Sequence, residues 1–325
     1  MPTNAPANVL EDFHDDGDTA DDFRQAVLNG LSQPQKRLPS KFFYDARGSA
    51  LFDEICTLDE YYPTRTETSL LESCGQEIAA LAGPDANLIE FGSGSSVKTR
   101  ILLDALDRLA AYVPLDISRD HLLAAAKTLA EDYPDIAVTP VCADFVQPLD
   151  LPKLAGAGVN LGFFPGSTIG NFRPADAAAF LKNAARSVGP GGAMVIGVDL
   201  IKDPATLHAA YNDARDVTAA FNLNLLERIN RELDADFDLD GFSHYAPFNP
   251  ARGCIEMHLV SRRAQKIQIA GETFAFAMGE SIHTEDSHKY TIEGFQELAR
   301  RGGWSPRQVW CDADDLFSVH FLDAA

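Results

Sequence analysis

Short apolar runs alternate with helically spaced stretches through the middle of this chain. Runs near 87–91, 111–116, 137–142, 158–164 and 192–198 read as strands, and the stretches between them, like the one from Thr64 to about Leu81, read as helices. Such alternation demands crossover connections, and it predicts an α/β fold with a largely parallel sheet covered on both faces. The rhythm breaks after Asp199. A helical pattern runs from Pro204 to about Leu233, then short strand-like runs follow at 241–247, 253–261, 266–270 and 273–279, joined by turns at Asn249–Gly253 and Ala270–Glu272. Helical spacing returns at Ile292, Phe295 and Leu298 before strand-like runs at 307–311 and 316–322. The pattern divides the chain into an acidic arm over 1–20, a sheet domain over 62–200 plus 289–325, and a second α+β domain over 21–61 plus 201–288.

The first strand runs into glycines and then a helix: Leu88-Ile-Glu-Phe-Gly-Ser-Gly-Ser-Ser-Val-Lys98. Gly92 and Gly94 are expected to supply positive φ and bare backbone for a ligand resting at a helix start. A dinucleotide fingerprint wants a third glycine where this chain has Val97, which argues against a nicotinamide cofactor. Two acids lie further on. Asp116 ends the second run 22 positions after Gly94, placed to grip ribose hydroxyls, and Asp144-Phe145 closes the third, an acid and an aromatic suited to an adenine. Taken singly, each acid is more readily read as a strand-end turn or a helix cap. As an ordered set with Glu90 they resemble the S-adenosylmethionine site of class I methyltransferases, whose Rossmann-like sheet ends in an antiparallel hairpin.

Composition narrows the classes. The net charge of −21 over 325 residues argues against a nucleic-acid substrate, since the largest basic group, Arg262-Arg263 with Lys266, is short. No apolar run reaches membrane-spanning length, no secretory signal is visible, and five scattered cysteines read as reduced thiols, all consistent with a cytoplasmic protein. His283 and His288 flank an acidic pair, but their spacing suits no common ligand helix, and no metal is expected.

Between the fourth strand and its helix lies Gly162-Phe-Phe-Pro-Gly-Ser-Thr-Ile-Gly-Asn-Phe172, where open α/β sheets bind ligands. The Asn171 amide offers both a donor and an acceptor to an α-amino acid, although an Asn here also suits a left-handed turn. With Phe43-Tyr-Asp-Ala-Arg-Gly-Ser49, Glu60-Tyr-Tyr-Pro-Thr-Arg-Thr-Glu67, Ala210-Tyr-Asn-Asp213 and Thr284-Glu-Asp-Ser287 in view, the chain closely resembles the histidine Nα-methyltransferases of ergothioneine biosynthesis.

That resemblance implies S-adenosyl-L-methionine as methyl donor, surrounded by Tyr44, Gly92, Ser93, Gly94, Lys98, Asp116, Asp144 and Phe145. It implies L-histidine as substrate, its amino and carboxylate groups held by Asn171 and Tyr211 near Gly166, and its imidazole read by Glu285 and Ser287 of a loop with Tyr61 and Met257 beside it. Tyr44 and Asn171 would be the catalytic pair, with Phe145, Phe164 and Phe172 as further aromatic walls, and the protein would work as a monomer. Two other readings stand beside it: an N-methyltransferase for a tryptophan derivative, which would lack the imidazole readers, and a nucleotide-binding oxidoreductase. Asp286 has no role on this reading.

Overall fold

The structure is a computed structural model that describes residues 14–16, 20–94, 97–147, 149, 151, 154 and 157–325. The chain divides into two compact units, one made of the residues up to 17 with 63–200 and 290–325, the other of the residues from 18 to 62 with 201–289.

The first unit is built on a nine-stranded sheet whose main path runs His14–Asp16, Val141–Ala143, Ala111–Asp116, Asn87–Phe91, Asn160–Phe164, Ala193–Asp199, Phe317–Ala324, Trp304–Cys311. All neighbours are parallel up to Ala193–Asp199; the last two strands form an antiparallel hairpin, and Phe317–Ala324 inserts beside Ala193–Asp199. This is the expected Rossmann-like arrangement of class I methyltransferases. The central strands are apolar throughout because both faces are covered. Leu88, Tyr112, Phe163 and Val195 pack against the helices Tyr62–Ala82 and Val97–Ala105 through Leu71, Ile78 and Leu102. Their chain neighbours Ile89, Val113, Phe164 and Ile196 pack on the opposite side against Phe180 and Leu181 of Pro174–Val188 and Phe295 of Ile292–Arg301. The run read as one strand over 137–142 is two short pieces, Ala137–Val138 and Val141–Ala143, because Pro140 has no N–H to continue the ladder. His14–Asp16, within the stretch read as an arm, pairs with Val141–Ala143 at the sheet edge.

The second unit centres on Cys254–Ser261, paired antiparallel with Phe242–Tyr245, Phe248–Asn249 and Ser281–His288; the last also takes Lys36–Arg37 in parallel. The turn expected at Ala270–Glu272 joins Gln265–Ile269 to Glu272–Phe276, with Ala270 and Gly271 at φ 50° and 88°. Two expectations fail here. The segment read as a loop over 284–287 lies inside the strand Ser281–His288, whose polar composition hides an element that is buried along most of its length. The helical pattern from Pro204 to Leu233 is two helices, Pro204–Tyr211 and Val217–Leu233. Asp213 breaks it: its carboxylate accepts from the N–H groups of Arg215, Val217 and Thr218 at 3.1, 3.0 and 2.8 Å, and Asp216 takes the left-handed conformation at φ 57°. These donors outweigh the cost of burial and hold the Asp213 carboxyl below its usual pKa.

Replacing Asp213 by Ala leaves buried helix-start donors without an acceptor, so Asp213→Ala is expected to lower unfolding stability by about 1–3 kcal/mol, read by urea denaturation. An unchanged midpoint and slope would show that the helix break does not depend on this cap.

Candidate functional site

In the first unit the glycine turn sits at the tip of Asn87–Phe91. Gly92 has φ 83°, and a Cβ there would stand 3.6 Å from the Phe145 ring, so bare backbone lies beside an aromatic ring. Gly94 differs from expectation, since it is outside the left-handed region; a Cβ there would meet nothing within 4 Å among the described residues. The N–H groups of Gly92 and Ser93 donate to the Leu115 carbonyl at 2.8 and 3.1 Å, tying the turn to the neighbouring strand. Ser93 Oγ is buried and has no hydrogen-bond partner among the described residues.

Asp116 ends its strand with the carboxylate accepting from Ser118 N–H at 2.8 Å; burial raises its pKa against the pull of backbone donors. Asp144 accepts from Val146 N–H at 3.1 Å, the turn geometry expected of a strand-end acid. Glu90 lies beneath the turn, buried, with Thr99 Oγ1 donating to it at 2.7 Å and Tyr112 donating to its other oxygen. Burial lifts its carboxyl to about 7, with both hydroxyls opposing. Glu90 is therefore a support of the turn.

Lys98 pairs with Glu67, a fully buried carboxylate that also accepts the Gly166 N–H at 2.8 and 3.0 Å through its two oxygens. The Gly166 N–H is thus engaged within the protein. Glu67 had a signal in the sequence: it stands on the same helical stripe as Leu70, Leu71 and Cys74, an acid at a core position. Asn171 closes the short turn Thr168–Asn171 and is half-buried. The left-handed residues of this segment are Gly166 and Ser167, so tolerance of positive φ does not account for Asn171. Phe164 is fully buried among Phe91, Phe145 and Phe180 and belongs to the core rather than to a pocket wall.

The second unit gathers the remaining expected residues. Tyr61 lies edge-on to Tyr211 at 6.2 Å between ring centroids, and Phe52 lies edge-on to both Tyr61 and Tyr44. Burial raises the Tyr61 hydroxyl well above its usual pKa, and Tyr211, Tyr44 and Glu285 are near enough to add to the rise. Met257 and Glu285 are register partners across the two central strands. The register shifts beside them, because Thr284 is an extra residue between the pairs Met257–Glu285 and His258–His283. Its hydroxyl donates to Asn222 Oδ1 at 2.8 Å, Asn222 Nδ2 lies 2.9 Å from His244 Nδ1, and His244 Nε2 lies 2.8 Å from the Tyr211 carbonyl. Since Asn222 donates to Nδ1, the His244 proton sits on Nε2, and this chain fixes the Tyr211 backbone to the bulge.

Beyond the bulge, alternate residues face alternate ways. Ser287 Oγ lies 2.7 Å from the Tyr211 hydroxyl, and Lys289 Nζ lies 2.9 Å from both. Glu285 is buried, which pushes its carboxyl up to about 8, the Lys289 ammonium working against that rise. Asp286 faces the other way, into Arg252 at 2.9 Å and His283 Nε2 at 3.0 Å; these partners hold it far below the usual range against the cost of its burial. Its role is structural. Cys254, Glu256 and Asp286 place ligand atoms within 4.8 Å of one another, but Arg252 pairs with both carboxylates and burial pushes the Cys254 thiol up to about 12. All five cysteines are free thiols, and no helix among the described residues is long and apolar enough to cross a membrane.

A parallel sheet closed by an antiparallel hairpin, with a glycine turn beside an aromatic ring, a buried hydroxyl without a partner among the described residues and a strand-tip acid, fits an adenosyl methyl donor and the class I S-adenosylmethionine-dependent methyltransferases. Residues 23–324 match the family described as "Histidine-specific methyltransferase, SAM-dependent". The chain is 44% identical to the histidine N-alpha-methyltransferase of Mycolicibacterium smegmatis, covering 92% of this chain and 94% of that one. It is 43% identical to the protein of the same name from Mycobacterium tuberculosis, over 91% and 93% of the two chains. Against ergothioneine biosynthesis protein 1 of Neurospora crassa it is 31% identical over 88% of this chain and 33% of the longer relative. The chain belongs to the family of histidine-specific, S-adenosylmethionine-dependent methyltransferases.

Between about 4.5 and about 8 the folded protein holds a proton on Glu285 that the unfolded chain releases, so this group's contribution to stability is complete below that window and lost as pH rises through it. Glu285→Gln removes the titration. Its melting temperature is expected to exceed that of the wild type by a few degrees near pH ~8.5, and the gap to close toward pH ~5, measured by thermal denaturation of both proteins. A gap independent of pH would mean that Glu285 does not titrate in this window.

Proposed function

We propose that the protein transfers methyl groups to the α-amino nitrogen of L-histidine, up to three times, giving the trimethylated betaine for ergothioneine biosynthesis. The observation that carries this reading is the buried pair Glu285 and Ser287, two residues apart on one strand face with Met257 opposite. An imidazole presents one N–H and one bare nitrogen, and an acid with a hydroxyl matches both, whereas an indole has no second nitrogen for the hydroxyl. S-adenosylmethionine supplies the electrophilic methyl.

The protein's own work is placement. Gly92, Ser93, Gly94, Asp116, Asp144 and Phe145 are proposed to hold the donor, with Lys98 acting through its pairing with Glu67. Glu285 accepts the imidazole N–H, Ser287 donates to the other nitrogen, and Tyr61 and Met257 flank the ring. Tyr211 holds the carboxylate. Asn171, in the first unit, is proposed to meet the α-amino group, with Gly166 shaping its segment. Holding a lone pair in line with the S–CH3 bond contributes about 7–11 kcal/mol, so no strong base is needed. The amine sheds a proton before each transfer, and Tyr44 is the proposed relay. We place the protein in the cytoplasm as a monomer, in keeping with its free thiols.

Incubating the protein with S-adenosylmethionine and a panel of amino acids, followed by mass spectrometry, is expected to give gains of one, two and three methyl groups on histidine. Gain on a tryptophan derivative in place of histidine, or on neither, would overturn the reading. Ser287→Ala is expected to lower kcat/KM for histidine about 10- to 100-fold, the cost of one unsatisfied buried group. For the relay, single-turnover rates of each methylation in Tyr44→Phe are decisive: slowing is expected, and three unchanged rates remove Tyr44 from proton transfer.

A further inference from the structure

Glu67 lies on the helix Tyr62–Ala82 with no exposure to solvent, and its carboxylate meets two ligand-facing parts of the first unit at once. One oxygen pairs with the Lys98 ammonium, and the two oxygens accept from the Gly166 N–H at 3.0 and 2.8 Å. The Glu67 side chain is 1% exposed and that of Lys98 16%, so the lysine reaches toward solvent while the acid backs it. On its other side the carboxylate rests on the bare backbone of Gly197, where a Cβ would stand 1.9 Å from Oε1. A buried carboxylate is tolerated only where it is paired and hydrogen-bonded, and here the N–H that completes its surroundings belongs to the segment after the fourth strand.

That segment is sharply bent. Gly166 and Ser167 take left-handed conformations in succession, at φ 78° and 54°. A serine in that conformation is strained, and such a shape persists only where its surroundings over-determine it. Two anchors do so: the Gly166 N–H donates to Glu67, and Ser167 Oγ accepts from the Asp199 N–H at 2.9 Å. The Ser167 carbonyl then accepts from the Gly170 N–H at 2.8 Å within the short turn Thr168–Asn171. Asn171 therefore ends a turn whose entry Glu67 pins. An amide would not serve in its place. Because both oxygens lie within 3.0 Å of one N–H, a glutamine at position 67 would set a donor against that donor whichever way its amide turned.

We infer that Glu67 is a positioning residue: it fixes the bend at Gly166 and Ser167 and so aims Asn171 at the reacting amine. The inference rests on the reading above that Asn171 meets the substrate's α-amino group, and it assigns the aim of that side chain to an acid buried behind the segment. It also separates two tasks of one carboxylate, holding the Lys98 ammonium and shaping the turn.

The test is steady-state kinetics on histidine for the wild type and Glu67→Gln, each also in Asn171→Ala and Lys98→Met backgrounds, with thermal melts as the check on folding. Hydrogen–deuterium exchange of the peptide over 165–172 is read alongside. Glu67→Gln is expected to lower kcat about 10- to 100-fold, since a small misplacement of the amine costs that much, while KM for histidine stays within about threefold. With Asn171 already Ala, adding Glu67→Gln is expected to cost less than about threefold, because the two act in series. In the Lys98→Met background the cost is expected to persist at about tenfold or more. Exchange over 165–172 is expected to quicken about tenfold or more, with that of the strand Asn87–Phe91 unchanged. An unchanged kcat, full multiplication of the Glu67 and Asn171 penalties, a Glu67 penalty that vanishes with Lys98 instead, or unaltered exchange overturns the inference. Should Glu67→Gln fail to melt cooperatively, Glu67→Asp decides by the same measurements, since it keeps the charge but draws it back from Gly166. A wild type that methylates another amino acid in place of histidine refutes the histidine reading, and the same cycles on that substrate then decide on Glu67. A wild type that methylates nothing refutes the reading of function, and exchange alone then decides on Glu67.

Discussion

The second unit depends on one constraint: a strand made largely of acids, hydroxyls and imidazoles lies in the interior of a sheet, so its polar groups must be partnered or held neutral. Ser281–His288 meets this in different ways on its two faces. Asp286 is ionised and tied to Arg252 and His283, while burial pushes Glu285 toward its neutral form against the pull of the Lys289 ammonium. Strand alternation past Thr284 separates these environments, and the hydrogen-bond chain from Thr284 through Asn222 and His244 extends the same order to the Tyr211 backbone. A carboxyl left in such a poised state among tyrosines is costly for folding, and its retention fits a task in binding.

The first unit solves a related problem with two buried acids. Glu90 is satisfied by hydroxyls and sits beneath the glycine turn, while Glu67 is satisfied by Lys98 and the Gly166 N–H and reaches the segment after the fourth strand. Together they connect both ligand-facing segments of this sheet to its interior. A Cβ on Gly197 would come within 1.9 Å of a Glu67 oxygen, so the carboxylate lies directly against the strand backbone. The packing leaves room there only for glycine.

Much of this was legible in the chain, for physical reasons that differ by element. Asn87–Phe91 and Ala111–Asp116 are apolar because both of their faces are covered, so their bounds could be read directly. Ser281–His288 could not, since hydrophobic periodicity has nothing to report where a strand is buried through polar pairing. The break between Tyr211 and Val217 was hidden because the stretch reads as helical, whereas the fold uses Asp213 as a cap. Glu285, Ser287, Tyr61 and Tyr211 came from resemblance rather than from periodicity, and the second unit brings those four together. Lys289 and Glu67 were passed over. Lys289 looks like an ordinary charged residue until the fold shows it buried beside Tyr211, whereas Glu67 carried a signal, an acid on the apolar stripe of its helix, whose meaning appears only with its partner Lys98.

The alternation past Thr284 has an evolutionary consequence. Positions 285 and 287 look toward the tyrosines, whereas 286 looks toward the arginine clasp that secures the strand. Two codons separated by a third can therefore drift while the intervening one stays fixed, so a lineage is able to acquire a taste for a new side chain without first dismantling the scaffold that presents it.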